Sequence, residues 1–357
     1  MDSAKIVAPL LEWYAANARV LPWRDDPTPY RVWISEIMLQ QTRVEAVKPY
    51  FERFVCEIPD VRSLAEISEQ RLLKLWEGLG YYSRARSLKK AAVVLMEQYG
   101  GVLPESAEEL KKLPGVGEYT AGAIASIAYG LPEPAVDGNV LRVAARLEAS
   151  RTDVASPAVK KELRSRLRGI YPAGQAGVFT QSLMELGATV CLPNGAPLCG
   201  GCPLAGLCEA HRAGVEEELP VKAPKPERRK ENRTVFLIVS GGTVALRRRP
   251  ETGLLAGLWE FPNAGGVLSP EQAGKTLRGW GLSPESVEPL PAAKHIFTHV
   301  EWHMTGYLVC TQEPRGGFVW TEPAELLRDY AVPSAYKAYL KILRSLAGGE
   351  EALRPRK

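Results

Sequence analysis

Two carboxylates of this 357-residue chain have sequence neighbours that predict different protonation behaviour. Glu36 lies in a predicted helix, with Trp33 one turn before it and Leu39 one turn after it, so desolvation should raise its pKa. Asp137 begins the predicted helix 137–147, whose dipole would hold its carboxylate ionised. An acid paired with an anion is typical of enzymes that break a bond to an anomeric carbon through an oxocarbenium-like transition state.

Each carboxylate also has a simpler interpretation. Helical Glu residues mostly lie on solvated faces, and the local pattern around Glu36 favours that interpretation. An Asp at a helix N-terminus is usually only a cap for the backbone, and this applies to Asp137.

The cysteine spacing predicts a metal centre. Two cysteines, Cys56 and Cys310, stand alone, and the other four lie within eighteen residues with the spacing C-x7-C-x2-C-x5-C: Cys191, Cys199, Cys202 and Cys208. In a reducing cytosol such a cluster indicates a metal before disulfides, and four thiolates can hold zinc or an iron-sulfur cluster. The paired C-x2-C spacing typical of zinc sites is incomplete, because only Cys199 and Cys202 have it.

Two further segments could contact nucleic acid. Leu113-Pro-Gly-Val-Gly-Glu-Tyr119 is a tight turn between predicted helices, and backbone N–H groups at the start of the second helix could bind a phosphate. In the run Leu79 to Arg86, two adjacent tyrosines would form an aromatic wedge, and Arg84 and Arg86 would contact phosphates. A plain helical hairpin and a packed aromatic pair at a helix start stay open as alternatives.

Length and composition indicate two globular domains. The composition is ordinary, with 45% hydrophobic and 24% charged residues, and the net charge of +4 permits an anionic partner without requiring one. Predicted helices fill residues 1–213, and the Pro-rich, partly basic segment 214–233 is typical of a linker. Residues 234–357 begin with two predicted strands, Val235 to Val239 and Thr243 to Leu246, joined by a Gly-Gly turn, which predicts an α+β domain.

The expected location is the cytosol, because the N-terminus lacks signal-peptide features and no apolar run approaches a membrane span. Three of the four histidines, His295, His299 and His303, lie close together in the second domain. Strand alternation places them on one face without a carboxylate cluster nearby, so we expect a polar recognition loop there and not a metal site.

Several segments together resemble the adenine DNA glycosylases of the MutY type. They are Leu21-Pro-Trp-Arg24, Pro29-Tyr-Arg-Val-Trp-Ile-Ser-Glu-Ile-Met-Leu-Gln-Gln-Thr42, Leu113-Pro-Gly-Val-Gly-Glu-Tyr-Thr-Ala-Gly122, Val136-Asp-Gly-Asn-Val140, the cysteine loop and Phe297-Thr-His299. The resemblance implies an α-helical helix-hairpin-helix glycosylase domain with an iron-sulfur loop at 191–208, followed by a Nudix-like α+β domain. It implies a monomer of the bacterial cytosol that flips out and removes adenine mispaired with 8-oxoguanine, or with guanine, in double-stranded DNA.

The same resemblance implies roles for individual residues. Glu36 would protonate the adenine, because neutral adenine is a poor leaving group, and Asp137 would stabilise or transiently bond the sugar carbon. Tyr119 and Asn139 would shape the pocket. The bifunctional relative endonuclease III carries a lysine nucleophile where this chain has Tyr119, so we expect a monofunctional or weakly strand-cleaving enzyme.

Further implied contacts involve the duplex and a cofactor. Gln41 and Tyr81 would wedge into the duplex beside the oxidised guanine, Gly115 and Gly117 would bind the backbone, and the mispair-recognition residues would be Phe297, Thr298 and His299. The four clustered cysteines would hold a four-iron four-sulfur cluster, which we expect to fold its loop and present basic residues to phosphate.

The sequence departs from the family pattern in three places. The family's loop has six residues between the first two cysteines and this chain has seven, and Thr298 stands where the family usually has serine. The segment 271–280 lacks the paired acidic residues that a magnesium-dependent Nudix hydrolase needs, so this domain is expected to recognise and not to hydrolyse.

Two alternatives belong to other functional classes. One is a related glycosylase acting on uracil or thymine opposite guanine, against which the C-terminal domain and its recognition loop argue. The other is a damaged-DNA binding module without catalysis, against which the retained pair Glu36 and Asp137 argues.

Overall fold

The computed structural model describes residues 3–221 and 227–348. The central part of the predicted linker, residues 222–226, lies outside the described residues, as do the chain ends at 1–2 and 349–357. Within the described ranges, no helix combines the length and the apolar composition that a membrane span needs.

The chain divides into two compact units. The first contains Met1–Ile67 and Arg86–Pro224, and the second contains Ser68–Ala85 and Lys225–Lys357. The division near residue 224 falls within the predicted linker 214–233. However, Ser68–Ala85 belongs with the second unit, although it lies inside the range predicted for the first domain.

The described part of the chain before residue 229 is mainly helical. They are α1 Val7–Asn17, α2 Pro29–Leu39, α3 Val44–Glu57, α4 Val61–Glu66, α5 Glu69–Leu75, α6 Ser83–Gln98, α7 Ala107–Leu110, α8 Glu118–Ile127, α9 Gly138–Leu147, α10 Pro157–Arg168, α11 Ala176–Thr189 and α12 Glu209–Ala213. Single 3₁₀ turns lie at Ser3–Ile6, Cys199–Gly201, Ala205–Leu207 and Glu216–Glu218. Thr28 caps α2 by accepting from the Arg31 amide at 3.3 Å, with Pro29 as the first helical residue.

Close packing among α2, α8, α9 and α11 builds the frame of the first unit. Small residues make up much of α8 and are buried, which lets α2 and α11 approach it. Where α9 meets α11, a Cβ on Gly187 would lie only 2.5 Å from the Asn139 Cβ. Glycine at 187 is therefore what allows the start of α9 to sit against α11.

A mixed sheet forms the core of the second unit. Its strands are β1 Arg229–Ser240, β2 Thr243–Arg248, β3 Trp259–Glu260, β4 Asn263–Gly265, β5 Pro284–Ile296, β6 Val300–Thr311 and β7 Val319–Thr321, in the order β3-β2-β1-β6-β5, with β4 beside β1 and β7 beside β2. The helices are α13 Pro270–Gly279, α14 Pro323–Asp329 and α15 Lys337–Gly348, with a 3₁₀ turn at Ser334–Tyr336. Separate apolar clusters include Leu237 and Phe236, neighbours that point to opposite faces of β1.

The strand pairing confirms the predicted hairpin, since Ser240 pairs with Thr243 in antiparallel β1 and β2. Strand β1 begins at Arg229, within the predicted linker, and is longer than the sequence pattern indicated. It runs parallel to β6 from Arg229 opposite Val300 to the far end of both strands. The N-terminal ends of β1 and β6 therefore lie at the same edge of the sheet.

Residues of Ser68–Ala85 bind the backbone that follows α14. Lys74 Nζ donates to the Tyr330 carbonyl oxygen at 3.0 Å, and the Val332 amide donates to Glu77 Oε1 at 2.9 Å. Lys74 Nζ also donates to Glu77 Oε2 at 2.6 Å. This ion pair, hydrogen-bonded on both sides to main chain, is one of the contacts that join the segment to the rest of the second unit.

Candidate active site

One cavity of about 760 Å³ in the first unit contains all four residues predicted to act on the base and the sugar. Glu36 comes from α2, Tyr119 from α8, and Asp137 and Asn139 from the start of α9. Gln41 also lines this cavity. The fold thus brings together two carboxylates that are far apart in the sequence.

The carboxyl group of Glu36 is buried, with the residue only 5% exposed. Tyr119 Oη donates a hydrogen bond to Glu36 Oε2 at 2.5 Å. Burial is the main cause that raises the pKa of Glu36 to about 7; the hydrogen bond from Tyr119 opposes the rise and the charge of Asp137 adds to it. The solvated-face interpretation of Glu36 is therefore wrong, and this carboxyl group can hold a proton near neutral pH.

Asp137 caps α9 and is held by two N–H groups. Its Oδ1 accepts from the Val140 amide at 2.8 Å and its Oδ2 accepts from Asn139 Nδ2 at 2.9 Å. Burial raises the pKa of Asp137 and outweighs these hydrogen bonds, which lower it. The expectation that the helix end would simply hold Asp137 ionised was incomplete, because desolvation acts on both carboxylates. What distinguishes Asp137 from Glu36 is that two N–H donors bind its charged form.

A hydrogen-bonded chain runs from this site to the cysteine loop. Arg142 Nη2 donates to Asn139 Oδ1 and to the Gly187 carbonyl oxygen, each at 2.8 Å. Arg142 Nε donates to the Cys191 carbonyl oxygen at 2.8 Å. Sequence reasoning missed Arg142. The signal that could have found it is the spacing of Arg142 and Arg146, four residues apart on one face of α9.

A second buried carboxylate lines the same cavity. Glu185 is 1% exposed and accepts from Arg19 Nε at 2.6 Å and from Arg24 Nη2 at 2.8 Å. Burial raises the pKa of Glu185, but the hydrogen bonds from the two arginines outweigh burial and hold it at about 2. Glu185 is therefore a fixed negative charge in the cavity where Glu36 titrates. Sequence reasoning missed it because its partners lie 166 and 161 residues away.

All four clustered cysteines line one small, mostly apolar space beside α9. Arg146 is buried there and donates through Nη1 to Cys191 Sγ at 3.3 Å. Four sulfur donors around one space, with a buried cation hydrogen-bonded to one of them, fit a thiolate-bound metal centre. Cys199, His211 and Glu216 also have ligand atoms within 4.8 Å of one another, which makes a mixed-ligand single-ion site the alternative to a cluster.

The cysteine loop accommodates its extra residue and differs from expectation in its charge. The seven residues between the first two cysteines form a closed turn, in which the Leu198 amide donates to the Val190 carbonyl oxygen at 2.9 Å. The prediction that this loop presents basic residues was wrong, because residues 191–208 contain no Lys or Arg. The arginines that contact it belong to α9 and are buried.

Of the two glycines in the predicted phosphate-binding turn, the fold requires the one at 115. Gly115 has φ of +79°, and a Cβ there would lie 2.6 Å from Ser87 Cβ. Gly117 is the N-cap of the ten-residue α8, and no side chain caps the helix there. Glu118, the first helical residue, has its charge balanced by Lys111 at 3.2 Å. The first N–H groups of α8 therefore retain the arrangement that suits a phosphate.

Gln41 and Tyr81, the predicted wedge residues, share an uncommon backbone conformation. Their φ values are +57° and +46°, and they are two of the four non-glycine residues with positive φ in the part of the chain that the structure describes. Both side chains are exposed. Tyr81 Oη and Thr298 Oγ1 share a hydrogen bond of 2.7 Å within the second unit.

Arg84 does not have the geometry of a phosphate contact. It is 8% exposed, and its Nη2 donates to the carbonyl oxygens of Leu79 and Gly80, each at 3.1 Å. Burial lowers the pKa of Arg84 to about 10. The predicted phosphate contact is therefore wrong, because this guanidinium binds the backbone that precedes Tyr81. Arg86 is half-buried on α6, and its phosphate contact stays a prediction.

The predicted recognition residues connect β5 and β6. Phe297 packs edge-on against Trp302, with ring centroids 4.9 Å apart. The Phe297 amide donates to the Val300 carbonyl oxygen at 2.8 Å, which closes the turn. Thr298 and His299 are exposed, so the aromatic ring anchors the loop and leaves these two polar side chains at the surface.

Comparison with known proteins bears on both units. A family model described as HhH-GPD superfamily base excision DNA repair protein matches residues 34–169, and a NUDIX domain model matches residues 234–341. The adenine DNA glycosylase of Mus musculus is 37% identical over 82% of this chain and 68% of that protein, and the one of Buchnera aphidicola (strain APS) is 33% identical over 84% and 85%. A solved thermostable thymine-DNA glycosylase superposes with a TM-score of 0.55 at 27% identity, covering 59% of this chain and 97% of that one. An endonuclease III–DNA complex superposes with a TM-score of 0.51 at 25% identity, covering 60% and 98%.

The fold and the matched models define a base-excision DNA glycosylase of the helix-hairpin-helix class with a Nudix-like C-terminal domain. The relatives are more specific, because their identity extends over most of this chain and more than two thirds of their own. The chain belongs to the adenine DNA glycosylase family. The predicted fold class and enzyme class are thereby confirmed.

Proposed function

We propose that this glycosylase removes adenine opposite 8-oxoguanine, or opposite guanine, by acid-assisted hydrolysis. The observation that carries the proposal is the buried carboxyl group of Glu36, with a pKa of about 7, which accepts a hydrogen bond from Tyr119 in the cavity that also holds Asp137. A carboxylic acid that stays protonated near neutral pH is what a poor leaving group such as adenine requires.

In this mechanism Glu36 gives its proton to a ring nitrogen of the flipped-out adenine. The bond between adenine and C1′ then breaks, and its electron pair leaves with the base. Asp137 stabilises the positive charge that develops on the sugar, or bonds C1′ transiently. Water adds to C1′, and the Glu36 carboxylate accepts its proton. Since Tyr119 cannot form a Schiff base, the expected product is an abasic site in an intact strand.

Recognition of the mispair is assigned to residues outside the cavity as well as inside it. Gln41 and Tyr81 act as wedges in the duplex, and their exposed side chains on positive-φ backbone support this role. Thr298 retains the hydroxyl group of the usual serine, so it can hydrogen-bond the oxidised guanine. The hydrogen bond of 2.7 Å between Tyr81 and Thr298 supports the proposal that the wedge residue and the recognition loop contact the mispair together.

The Nudix-like domain serves this function as a recognition surface. Helix α13 contains a single acidic residue, Glu271, which pairs with Lys275 at 3.2 Å, and a magnesium site needs more carboxylates than this. The monomeric state stays a prediction from the sequence, as does the bacterial cytosol.

A competition experiment tests the substrate. Duplexes carrying A opposite 8-oxoguanine, A opposite guanine and T opposite guanine are mixed in equal amounts with excess enzyme, each with its own label. We expect the first duplex to lose its adenine fastest and the second more slowly. A preference for T opposite guanine would contradict the proposal.

That contrary result would favour the second candidate, a glycosylase for thymine or uracil opposite guanine. The observation in its favour is the similarity to a thymine-DNA glycosylase, at 27% identity. This similarity covers 59% of the chain, whereas the adenine DNA glycosylases match 82% and 84% of it. The longer match therefore favours adenine over thymine or uracil as the released base.

The raised pKa of Glu36 predicts how the rate depends on pH. Because the protonated form is the acid, we expect the single-turnover rate of adenine release to fall as pH rises through about 7. The measurement is the rate between about pH 5.5 and 9, with duplex affinity followed in parallel to separate chemistry from binding. A rate that does not change between about pH 6 and 9 would indicate a carboxyl group of ordinary pKa and would contradict the proposal.

We further propose that the four clustered cysteines hold a four-iron four-sulfur cluster. Hydrolysis of an N-glycosidic bond needs no electron transfer, so the cluster, when bound, supplies a structural cross-link between the loop and α9. The donor set and the Arg146 contact to Cys191 support this assignment.

Metal content tests the cluster. We expect brown protein with broad absorbance in the blue and about four irons and four sulfides per chain. Cys202→Ser should lose the colour and the iron, whereas Cys56→Ser, at the exposed isolated cysteine, should keep both. A colourless preparation that contains one zinc would contradict the cluster and support the mixed-ligand site.

A further inference from the structure

We propose that the exposed basic residues at the start of β1, Arg228 and Lys230 above all, bind DNA phosphates beside the recognised 8-oxoguanine. This inference rests on the proposed function, because it takes Phe297-Thr298-His299 as the loop that meets the oxidised base. It assigns a DNA-binding role to the basic end of the predicted linker.

Topology places these residues beside the recognition loop. Strands β1 and β6 are parallel and in register from Arg229 opposite Val300, and the recognition loop immediately precedes β6. The Arg229 amide donates to the His299 carbonyl oxygen at 3.1 Å, and Arg228 Nε donates to the Phe297 carbonyl oxygen at 3.1 Å. Residues 228–230 and the recognition loop therefore lie together at one edge of the sheet, and two hydrogen bonds join them.

The orientation of Arg228 leaves part of its guanidinium free to bind a phosphate. Its Nε donates to the Phe297 carbonyl oxygen. Among the described residues, neither Arg228 nor Lys230 forms an ion pair with a carboxylate. Both side chains are exposed. A guanidinium fixed through Nε presents its two Nη groups as a fork, which suits the paired oxygens of a phosphate.

The carboxylates at this edge do not cancel the basic charge. Glu231 binds Arg229 at 2.5 Å and Arg233 at 3.0 Å, and Glu301 binds Lys294 at 2.7 Å, so both acidic groups already have cationic partners. Counting the exposed Glu227 as well, three acidic residues stand against five basic ones: Arg228, Arg229, Lys230, Arg233 and Lys294. The edge keeps a positive excess next to the exposed Thr298 and His299.

The cysteine loop 191–208 contains no Lys or Arg, so it offers no side-chain cation to DNA phosphates. Most of the affinity of a protein for duplex DNA comes from cations that neutralise phosphates. A chain whose cysteine loop supplies none of these cations must obtain them elsewhere. The linker end is a group of exposed cations already attached to the recognition loop.

The salt dependence of binding tests the proposal. The Kd of the full chain for a duplex with A opposite 8-oxoguanine is measured over a range of salt concentrations, with Glu36→Gln in every variant to prevent turnover. Adding Arg228→Ala and Lys230→Ala should weaken binding several-fold and reduce the slope of log Kd against log salt by about 1 per lost phosphate contact. Arg228→Lys alone should keep the slope, because the charge remains.

Arg315→Ala is the matched control. Arg315 is an exposed arginine four residues beyond the far end of β6, and the 12 residues of that strand put it about 40 Å from the recognition loop, so its removal should change neither Kd nor slope. An unchanged slope in the double variant would overturn the proposal. So would equal defects in Arg228→Lys and Arg228→Ala, since the loss would then come from the loop and not from charge. Adenine release by the otherwise unchanged enzyme is scored separately, so failure of the proposed function is distinguishable from failure of this contact.

Discussion

Glu36→Gln is expected to lower the single-turnover rate of adenine release by about 10²–10⁴-fold, because an amide cannot donate the proton that the leaving base needs. Glutamine has the same shape and can still accept the hydrogen bond from Tyr119, so the duplex affinity is expected to stay unchanged. The measurements are adenine release with excess enzyme and the Kd for the same duplex.

Stability provides the control for this variant. The pKa of Glu36 is higher in the folded protein than in an unfolded chain, so the folded state binds more protons and loses stability as pH rises from the ordinary carboxyl pKa through about 7. Glu36→Gln removes this loss. The variant should therefore be at least as stable as the wild type at pH 8. Equal losses of binding and excision, or a lower unfolding midpoint at that pH, would show that Glu36 is structural.

Asp137→Asn is expected to lower the same rate by about 10²–10³-fold, the range found when one electrostatic contact to a developing charge is removed. The structural role of Asp137 is separable from its charge. Asparagine is an equally good N-cap and can accept the hydrogen bond from the Val140 amide, so α9 should keep its start. Single-turnover adenine release, with a thermal unfolding curve for the same preparation, measures both effects.

Asp137→Ala completes the comparison, because it removes the charge and the cap together. We expect it to lose the same activity as the asparagine variant and about 1 kcal/mol of stability in addition. If the asparagine variant excised adenine at the wild-type rate, the charge of Asp137 would have no part in catalysis.

Sequence patterns predicted those features of the site that depend only on neighbouring residues in the chain. Asp137 precedes a helix and caps it, and Gly115 stands at a turn that needs positive φ. The apolar neighbours of Glu36 correctly indicated desolvation, although the solvated face was the favoured interpretation before the family resemblance was considered. Its pKa of about 7 comes mainly from burial in the folded unit; the hydrogen bond from Tyr119, which lowers the pKa, and the charge of Asp137, which raises it, also arise only on folding.

Long-range partners explain what the sequence could not reveal. Glu185 looks like any helical glutamate until Arg19 and Arg24 meet it from the other end of the first unit's chain. Arg84 looked like a phosphate contact because its sequence neighbours are aromatic, yet burial turns its guanidinium to the backbone before Tyr81.

The position of Ser68–Ala85 has the same kind of cause. Its helical pattern continues that of the first domain, so the sequence predicts one domain from residue 1 to 213. The contacts that join it to the second unit include those of Lys74 and Glu77 with main-chain groups of Tyr330 and Val332. Main-chain groups have no side-chain signature, so no sequence pattern could have indicated this pairing.

Identification of the released base tests the proposed chemistry most directly. A duplex with one A opposite 8-oxoguanine is incubated with excess enzyme, the free base is identified by chromatography and mass, and the strand is analysed before and after alkali. We predict free adenine in an amount equal to the alkali-labile sites opposite 8-oxoguanine, with the strand intact before alkali. No adenine under these conditions, or thymine or uracil released from guanine mispairs in its place, would contradict the assignment of this cavity to adenine excision.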